Sequence, residues 1–410
     1  MASRRFRLAV APVRRRVDAA PQPRMTVDVA VAAERPTDPM HCLRPAVIAE
    51  AAAAFVEAFP GDVLYAVKCN PEPRVLRALW QGGVRHFDCA SPAEVALVRS
   101  LFADAAIHYM HPVKARPAIR EAYATHGVRD FSLDSAAELQ KILDETNGSG
   151  ELGLFIRLAL PKGGAVYDLS GKFGAEMADA VELLRAARVH ARTLGVCFHV
   201  GSQCLDPVAY ARAIALAGEV IKAAGVAIDV IDVGGGFAVS YPGVTPPPLG
   251  AYMAEIEAAV ERLDLPAMPR LWAEPGRALV AGGTSVVVQV QHRRGAELFI
   301  NDGVYGSLSD AGIPAFKFPV RLIRDGREVP VEEGAMRDFA FFGPTCDSVD
   351  RMNGPFPLPD DVREGDWIEI GQLGAYGASL RTAFNGFDHA NMVEVVDRPM
   401  LETPGLALVA

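Results

Sequence analysis

The sequence has few of the features that mark membrane, nucleic-acid-binding or secreted proteins. No apolar run reaches the roughly 18 residues that a bilayer span requires. The 410-residue chain has 41 Lys and Arg against 50 Asp and Glu, and its net charge of -9 argues against a general nucleic-acid-binding protein. Its 6 cysteines include no CxxC pair and no zinc-ligand spacing, which predicts reduced thiols, no metal site and a cytoplasmic location.

Hydrophobic residues, by contrast, make up 50% of the chain, which is enough to bury a large core. The first 24 residues are basic, with arginines at seven positions and a single acid. We expect residues 1–25 to form a disordered basic tail; an Arg-rich transit peptide and a second start at Met25 are the alternatives. Residues 26–31 alternate in polarity, so the segment 26–42 is expected to contribute a strand to a β domain.

Eight short apolar runs alternate with helical segments through the middle of the chain. They lie at residues 63–67, 84–89, 107–110, 131–133, 152–160, 196–200, 227–233 and 271–273. Eight such units are typical of a (β/α)8 barrel, which we predict over residues 43–277. A doubly wound open sheet is the alternative, but no GxGxxG sequence follows the first run.

The pattern changes after residue 277. Alternating, β-branched segments separated by Gly, Pro and Asp predict strands at residues 285–290, 297–301, 320–323, 339–342 and 367–370. Residues 278–410 are therefore predicted to form an all-β domain.

Polar residues occur at the ends of the predicted barrel strands, where the active sites of such barrels lie. Lys68 ends the first run, and a partly desolvated lysine there would have a lowered pKa that favours Schiff-base chemistry. The alternative is a lysine whose stem packs while its amine reaches water. His199 belongs either to an open site or to the core. The backbone amides of Gly234, Gly235 and Gly236 could bind a phosphate.

Two further stretches carry candidate chemistry. Glu274, before a Pro-Gly turn, could hold a proton on a heterocyclic nitrogen or pair with Arg277, which itself suits a phosphate. Cys346 follows a Gly-Pro turn and precedes Asp347, so its thiol is either a proton donor or a simple loop cysteine. A Schiff-base lysine, a phosphate cradle, an acid for a ring nitrogen and a histidine together match pyridoxal phosphate.

Eight motifs between about residues 60 and 388 extend this match. They are YAVKCN (65–70), FDCAS (87–91), HVGSQ (199–203), DVGGGF (232–237), EPGR (274–277), NDGVYGS (301–307), GPTCD (343–347) and GAY (374–376). In this order the motifs resemble the pyridoxal phosphate decarboxylases of the alanine-racemase fold, the group that acts on ornithine, lysine and diaminopimelate.

The resemblance implies roles for individual residues. Lys68 would bind pyridoxal 5'-phosphate covalently, and Glu274 would pair with its ring nitrogen. The other cofactor contacts are implied for Asp88, Arg157, His199, Ser202, Gly234, Gly235, Gly236, Arg277 and Tyr376. The resemblance also implies a homodimer in which Cys346 and Asp347 reach the active site of the neighbouring subunit, where Cys346 protonates the α-carbon.

The substrate is less well defined by the resemblance. Asp347 after Cys346 is similar to the ornithine decarboxylase pattern, which favours L-ornithine, with putrescine and CO2 as products in polyamine biosynthesis. Lysine, giving cadaverine, is the second choice, followed by diaminopimelate or carboxynorspermidine. The Tyr-Asp pair of eukaryotic-type enzymes is missing, and Asp310 is the candidate replacement, whereas Gln203 resembles the diaminopimelate branch.

Two other functional classes share this barrel. An inactive regulatory homologue would be expected to lose Lys68, Cys346 or the phosphate-binding residues, all of which are present. A racemase would need a tyrosine base opposite the lysine and would lack the GPTCD motif. Both classes therefore fit the sequence less well than a decarboxylase does.

Overall fold

The computed structural model describes residues 25–161, 165–167 (backbone only), 171–313, 315–329 and 335–404. Residues 1–24, which hold nearly all of the predicted basic tail, lie outside this range. The described chain begins with the helix Val27–Glu34, which Thr26 caps by accepting a hydrogen bond from the N–H of Val29. The strand predicted at residues 26–31 is therefore wrong.

The N-terminal segment nevertheless contributes to the β domain, through a strand further along the chain. Met40–Leu43 pairs antiparallel with Thr284–Arg294 and parallel with Asn391–Glu394. The alternation at residues 26–31 misled because Val27, Ala30 and Val31 also fit helical spacing, and these three side chains are the ones that become buried.

Eight parallel strands close into a barrel, and each of the eight predicted runs overlaps one of them. The strands are Asp62–Ala66, His86–Cys89, Ala106–Tyr109, Asp130–Leu133, Leu152–Arg157, Ala191–Cys197, Val230–Asp232 and Arg270–Ala273. Trp272 in the last strand pairs with Asp62 in the first, which completes the closure. The predicted (β/α)8 barrel is confirmed, and the open sheet is excluded.

Helices connect and cover the barrel strands. They are Pro45–Ala58, Pro73–Gln81, Pro92–Leu101, Arg116–Ala124, Ala136–Glu145, Met177–Arg188, Val208–Ala224, Leu249–Glu261 and Arg277–Val280, with 3-10 turns at Val67–Cys69 and Ala281–Gly283. Two of them begin at serine caps: Ser91 and Ser135 each accept a hydrogen bond from the N–H three residues on, at 3.3 Å. None of the helices in the described ranges has the length and hydropathy that a membrane crossing requires.

The β domain is a nine-stranded mixed sheet. Besides Met40–Leu43 and its two partner strands, it contains Glu297–Ile300, Val320–Arg324, Arg327–Glu328, Met336–Phe342, Arg351–Pro359 and Trp367–Ile370. A short helix, Ser309–Gly312, and a 3-10 turn, Phe384–Gly386, lie in its connections. A separate two-stranded antiparallel sheet is formed by Ala165–Tyr167 and Ser202–Cys204.

The interior of the barrel is packed below its mouth. Inward side chains from six strands or strand ends form one buried cluster, made of Leu64, Met110, Phe155, Cys197, Val230 and Trp272. Apolar side chains fill most of this level, where the buried Ser132 and His108 contact Cys197 and Trp272. The polar groups of the mouth lie above it, at the carboxyl ends of the strands.

The β domain packs directly against the turn that follows the first barrel strand. The side-chain amide of Asn70 donates to the carbonyl of Gly374 at 2.8 Å, and the N–H of Tyr376 donates to the carbonyl of Cys69 at 2.9 Å. A Cβ on Gly374 would lie 1.8 Å from the backbone carbonyl of Val280, so this junction accepts only glycine.

Alanine substitution of two glycines tests this junction. Gly374→Ala should lower the free energy of unfolding by about 1–3 kcal/mol or more, because the carbonyl of Val280 cannot move aside. Gly250→Ala, in the exposed start of the helix Leu249–Glu261, meets open space and should raise it by about 0.4–1 kcal/mol. Denaturant unfolding measures both; equal effects would contradict the tight junction.

Candidate active site

A cavity of about 240 Å³ opens at the carboxyl ends of the barrel strands. It brings together most of the residues singled out from the sequence, namely Lys68, Asp88, Arg157, His199, Ser202, Gly235, Gly236, Glu274, Arg277 and Tyr376. Gly234 lies next to them in the chain, whereas Asp310, Cys346 and Asp347 do not line this cavity.

Lys68 stands on the 3-10 turn Val67–Cys69, immediately after the first barrel strand. Its Nζ lies 2.9 Å from Oδ2 of Asp88, a buried carboxylate on the neighbouring strand. Burial alone would lower the pKa of Lys68, but the carboxylates of Asp88 and Glu274 outweigh it and raise the pKa above its ordinary value. The lowered pKa expected from the sequence is therefore wrong, and Lys68 is held as an ammonium ion.

The three glycines form a turn after the strand Val230–Asp232. Gly234 and Gly236 have φ angles of +69° and +108°, which L side chains rarely adopt. A Cβ on Gly235 would lie 2.6 Å from the carbonyl oxygen of Glu274 and 3.2 Å from Nε2 of His199. Because side chains are excluded here, the backbone itself borders the cavity, as a phosphate cradle requires.

His199 follows the strand Ala191–Cys197 and borders the cavity, so it belongs to an open site and not to the core. Its Nδ1 accepts a hydrogen bond from the N–H of Gly201 at 2.9 Å. Burial, together with the positive charges of Arg157 and Lys68, holds the pKa of His199 well below its usual value. The imidazole is therefore neutral, which suits packing against an aromatic ring.

Glu274 lies one residue beyond the last barrel strand and is 4% exposed. Within the described residues its Oε1 has no hydrogen-bond partner. Burial and the nearby carboxylates of Asp232 and Asp88 raise the pKa of Glu274 well above its usual value. The salt bridge with Arg277 that the spacing allowed does not form, since Arg277 pairs with Asp310.

Asp232 is a buried carboxyl group next to the glycine turn that the sequence analysis did not single out. It is fully buried, its Oδ1 accepts a hydrogen bond from the N–H of Gly234 at 2.8 Å, and burial raises its pKa to about 6. The sequence does mark Asp232, because it opens the DVGGGF motif. An Asp at the end of a strand, two residues before a glycine turn, is equally typical of a residue that only stabilises the turn.

Two of the three guanidinium nitrogens of Arg277 have partners, and the third has none in the described chain. One terminal nitrogen donates to the hydroxyl of Tyr241 at 3.0 Å, and the other lies 2.8 Å from Oδ2 of Asp310. Its Nε is buried without a hydrogen-bond partner in the described chain. Asp310, the candidate substrate-binding residue, is thus paired with Arg277.

Gln203 lies in a loop contact and does not border the cavity. Its side chain is 2% exposed and makes two hydrogen bonds to the backbone of Val239, donating to the carbonyl at 2.9 Å and accepting from the N–H at 2.8 Å.

Cys346 and Asp347 lie on a β-domain loop outside the cavity of Lys68. Cys346 is the one exposed cysteine of the six, and its N–H donates to Oδ1 of Asn385 at 3.0 Å. The hydroxyl of Tyr305 donates to Oδ2 of Asp347 at 2.5 Å, which lowers the pKa of that carboxyl group. Tyr305 and Asn385 were not singled out from the sequence, although Tyr305 lies within the NDGVYGS motif.

Comparison with known proteins identifies the family. Residues 46–281 match the family model described as pyridoxal-dependent decarboxylase, pyridoxal binding domain, and residues 278–374 match the C-terminal sheet domain of the same decarboxylases. The chain belongs to the pyridoxal-dependent decarboxylase family. The resemblance found from the eight motifs is confirmed, and the protein is a decarboxylase.

Relatives of this decarboxylase differ in their substrates. It is 32% identical to the lysine/ornithine decarboxylase of Selenomonas ruminantium over 82% of this chain and 84% of the relative. It is also 32% identical to mouse ornithine decarboxylase, over 82% and 76% of the two chains. The crystal structure of the Paramecium bursaria Chlorella virus arginine decarboxylase superposes with a TM-score of 0.78 at 28% identity, over 89% and 98% of the chains.

The residues of the cavity fit pyridoxal phosphate, the cofactor of this family. The turn at Gly235 offers backbone where a Cβ would collide, and the orphaned Nε of Arg277 is a donor at the cavity wall. The orphaned Oε1 of Glu274 is an acceptor for a protonated ring nitrogen, and Lys68 supplies the amine.

Chemical trapping would locate the covalent link to the cofactor. Borohydride reduction of the pyridoxal phosphate-loaded protein, followed by peptide mass spectrometry, should place the label on Lys68, and Lys68→Ala should abolish it. Lys172, which also borders the cavity, is the matched control, and Lys172→Ala should leave the label in place. A label on Lys172 would contradict this assignment.

Proposed function

We propose that this decarboxylase converts L-ornithine to putrescine and CO2, a step of polyamine biosynthesis, in a homodimer with shared active sites. The proposal is carried by Asp347, a short carboxylate that directly follows Cys346. A basic amino acid of ornithine length ends in an ammonium group that such a carboxylate can bind.

Residues of the barrel, together with Tyr376 of the β domain, would hold the cofactor. Lys68 would bind it covalently, and the glycine turn 234–236, Ser202, Tyr376 and the Nε of Arg277 would bind its phosphate. When bound, pyridoxal phosphate supplies an electron sink for the pair of electrons left by departing CO2.

The remaining barrel residues would orient the ring and tune its charge. Glu274 would accept a hydrogen bond from the protonated ring nitrogen, and neutral His199 would pack on the ring face. Arg157 and Asp88 balance the buried charges around them, since burying an unpaired charge is costly. These roles agree with the pKa directions of His199 and Glu274.

Cys346 is proposed to donate a proton to the α-carbon after CO2 has left. Its thiol is exposed, and Asn385 and Tyr305 hold the loop by hydrogen bonds to the N–H of Cys346 and the carboxylate of Asp347. The thiol and the carboxylate are therefore presented together on the surface of the β domain. General-acid groups of this kind contribute roughly 10²–10⁴-fold to rate.

Lysine is the second candidate substrate, since it differs from ornithine by one methylene, which a pocket discriminates weakly. Diaminopimelate and carboxynorspermidine come after it, because Gln203 is occupied by Val239 and offers no support for them. The six free cysteines, five of them buried, fit a reducing cytoplasm.

The substrate is tested by CO2 release from ornithine, lysine, arginine and diaminopimelate measured side by side. Ornithine should give the highest kcat/KM, and Asp347→Asn should lower it about 10- to 100-fold, mainly through KM, because the charged partner of the distal amine is lost. Asp338→Asn, an exposed carboxylate on the strand Met336–Phe342, is the matched control and should have no effect. A higher kcat/KM for another substrate would overturn the ornithine proposal.

The positions of two residues support the homodimer proposal. Cys346 and Asp347 do not border the cavity of Lys68, yet both are proposed to act there, and a second copy of the chain would supply them. An interface of this kind is two-fold symmetric, and each site then combines one barrel with the partner's β domain.

Mixing inactive variants tests the shared site. Lys68→Ala and Cys346→Ala, inactive alone, should together recover about a quarter of native activity, because random pairing puts one intact site in half of the dimers. Mixing Lys68→Ala with Glu274→Gln is the control and should recover none, since both groups belong to one barrel. No recovery in the first mixture would contradict the shared site.

A further inference from the structure

Glu274 borders the cofactor cavity, and a second buried carboxyl group, that of Asp232, lies on the neighbouring strand. Asp232 ends the strand Val230–Asp232 and pairs in register with Trp272 of the next strand, two residues before Glu274. Their exposed fractions are 0% and 4%. The N–H of Glu274 donates to the carbonyl of Gly234 at 2.9 Å, and the N–H of Gly234 donates to Oδ1 of Asp232 at 2.8 Å, so one backbone turn joins the two residues. The charge of Asp232 is also among the causes that raise the pKa of Glu274.

Each group has one unsatisfied oxygen. In the described structure, Oδ2 of Asp232 and Oε1 of Glu274 are buried and find no donor. An ionised carboxylate only accepts hydrogen bonds, so two adjacent carboxylates leave oxygens unsatisfied unless one of them carries a proton. Two neighbouring buried carboxyl groups also strongly disfavour the state in which both are ionised.

The surrounding charges lead to the same conclusion. Three carboxylates meet here, those of Asp88, Asp232 and Glu274, and the cations that face them are Lys68 and Arg157. The thiol of Cys197, in register with Asp232, stays neutral because burial raises its pKa. One proton bound by the carboxyl groups would leave two negative charges, which the two cations neutralise.

We propose that Asp232 and Glu274 share one proton in the cofactor-free protein, and that binding of the ring nitrogen displaces this proton. Asp232 is then a positioning residue that holds Glu274 at the place of the ring nitrogen. The inference rests on the proposed role of Glu274 as the partner of that nitrogen.

The proton has a defined destination. If the ring nitrogen arrives neutral, the proton of the pair passes to it; if it arrives protonated, the proton leaves to solvent. In either case the positive charge of the ring nitrogen replaces that of the proton. The three carboxylates are then neutralised by Lys68, Arg157 and the ring. The raised pKa values of both carboxyl groups are consistent with a pair that holds one proton at neutral pH.

Infrared spectroscopy of the cofactor-free protein at pH 7 tests the pair, because a protonated carboxyl group has a carbonyl stretch that disappears on ionisation. In difference spectra against the native protein, Asp232→Asn and Glu274→Gln should each remove one such band. Asp229→Asn, just before the opposite end of the same strand and paired with Arg188, should keep it. Adding pyridoxal phosphate to the native protein should remove the band, whereas inorganic phosphate should not.

The positioning role has its own measurement. Asp232→Asn should raise the dissociation constant of pyridoxal phosphate about ten-fold, because Glu274 loses its partner. It should also flatten the decline in thermal stability of the cofactor-free protein as pH rises through about 6. That decline is expected because a carboxyl group with a raised pKa stabilises the fold only while it is protonated.

Several outcomes would overturn the proposal. They are a band that survives either substitution, a band that persists in the loaded protein, or equal behaviour of Asp232→Asn and Asp229→Asn. If Asp232→Asn does not fold, the band is titrated in native protein labelled in separate preparations with 13C-aspartate and with 13C-glutamate, and the absence of an isotope-shifted band at pH 7 in both preparations would overturn the shared proton. Because no decarboxylation is measured, failure of the ornithine proposal leaves these results unaffected.

Discussion

The ion pair between Lys68 and Asp88 is the contact on which the site depends. Asp88, on the neighbouring strand, is 2% exposed, and a carboxylate buried at the mouth of an apolar barrel is costly without a partner. Lys68, whose side chain is 45% exposed, supplies that partner at 2.9 Å. The amine is therefore held in place while it is charged. A bound aldehyde must take the place of this ion pair when it reacts with Lys68.

The position of Lys68 is fixed by the junction between the two domains as much as by the barrel. The turn that carries it is hydrogen-bonded through Asn70 and Cys69 to the segment Gly374–Tyr376 of the β domain. Tyr376 has a φ of +62° and borders the cavity, with its ring 5.2 Å from the guanidinium of Arg277. The β domain thus completes the end of the cavity at Arg277, which the barrel alone would leave open.

Sequence patterns predicted the barrel well because its strands are buried on both faces and appear as short apolar runs. They also located Lys68, Glu274 and the glycine turn, since chemistry at strand ends is visible as polar residues that interrupt apolar runs. The N-terminal helix was missed because a short segment with buried residues at 27, 30 and 31 satisfies two periodicities at once. The charge state of Lys68 was missed because it depends on Asp88, twenty residues away in the chain.

Partners across the fold explain the other differences. Asp310 was the candidate substrate-binding residue and Gln203 resembled the diaminopimelate branch. In the structure Asp310 pairs with Arg277 and Gln203 bonds the backbone of Val239, and nothing in the local sequence indicates either contact. The engagement of Arg277 has a further consequence. With one nitrogen on Tyr241 and one paired to Asp310, the guanidinium cannot turn freely, so its unpartnered Nε is held at a fixed place in the cavity wall. A phosphate there would meet a donor whose orientation is already fixed, which reduces the entropy that binding must overcome.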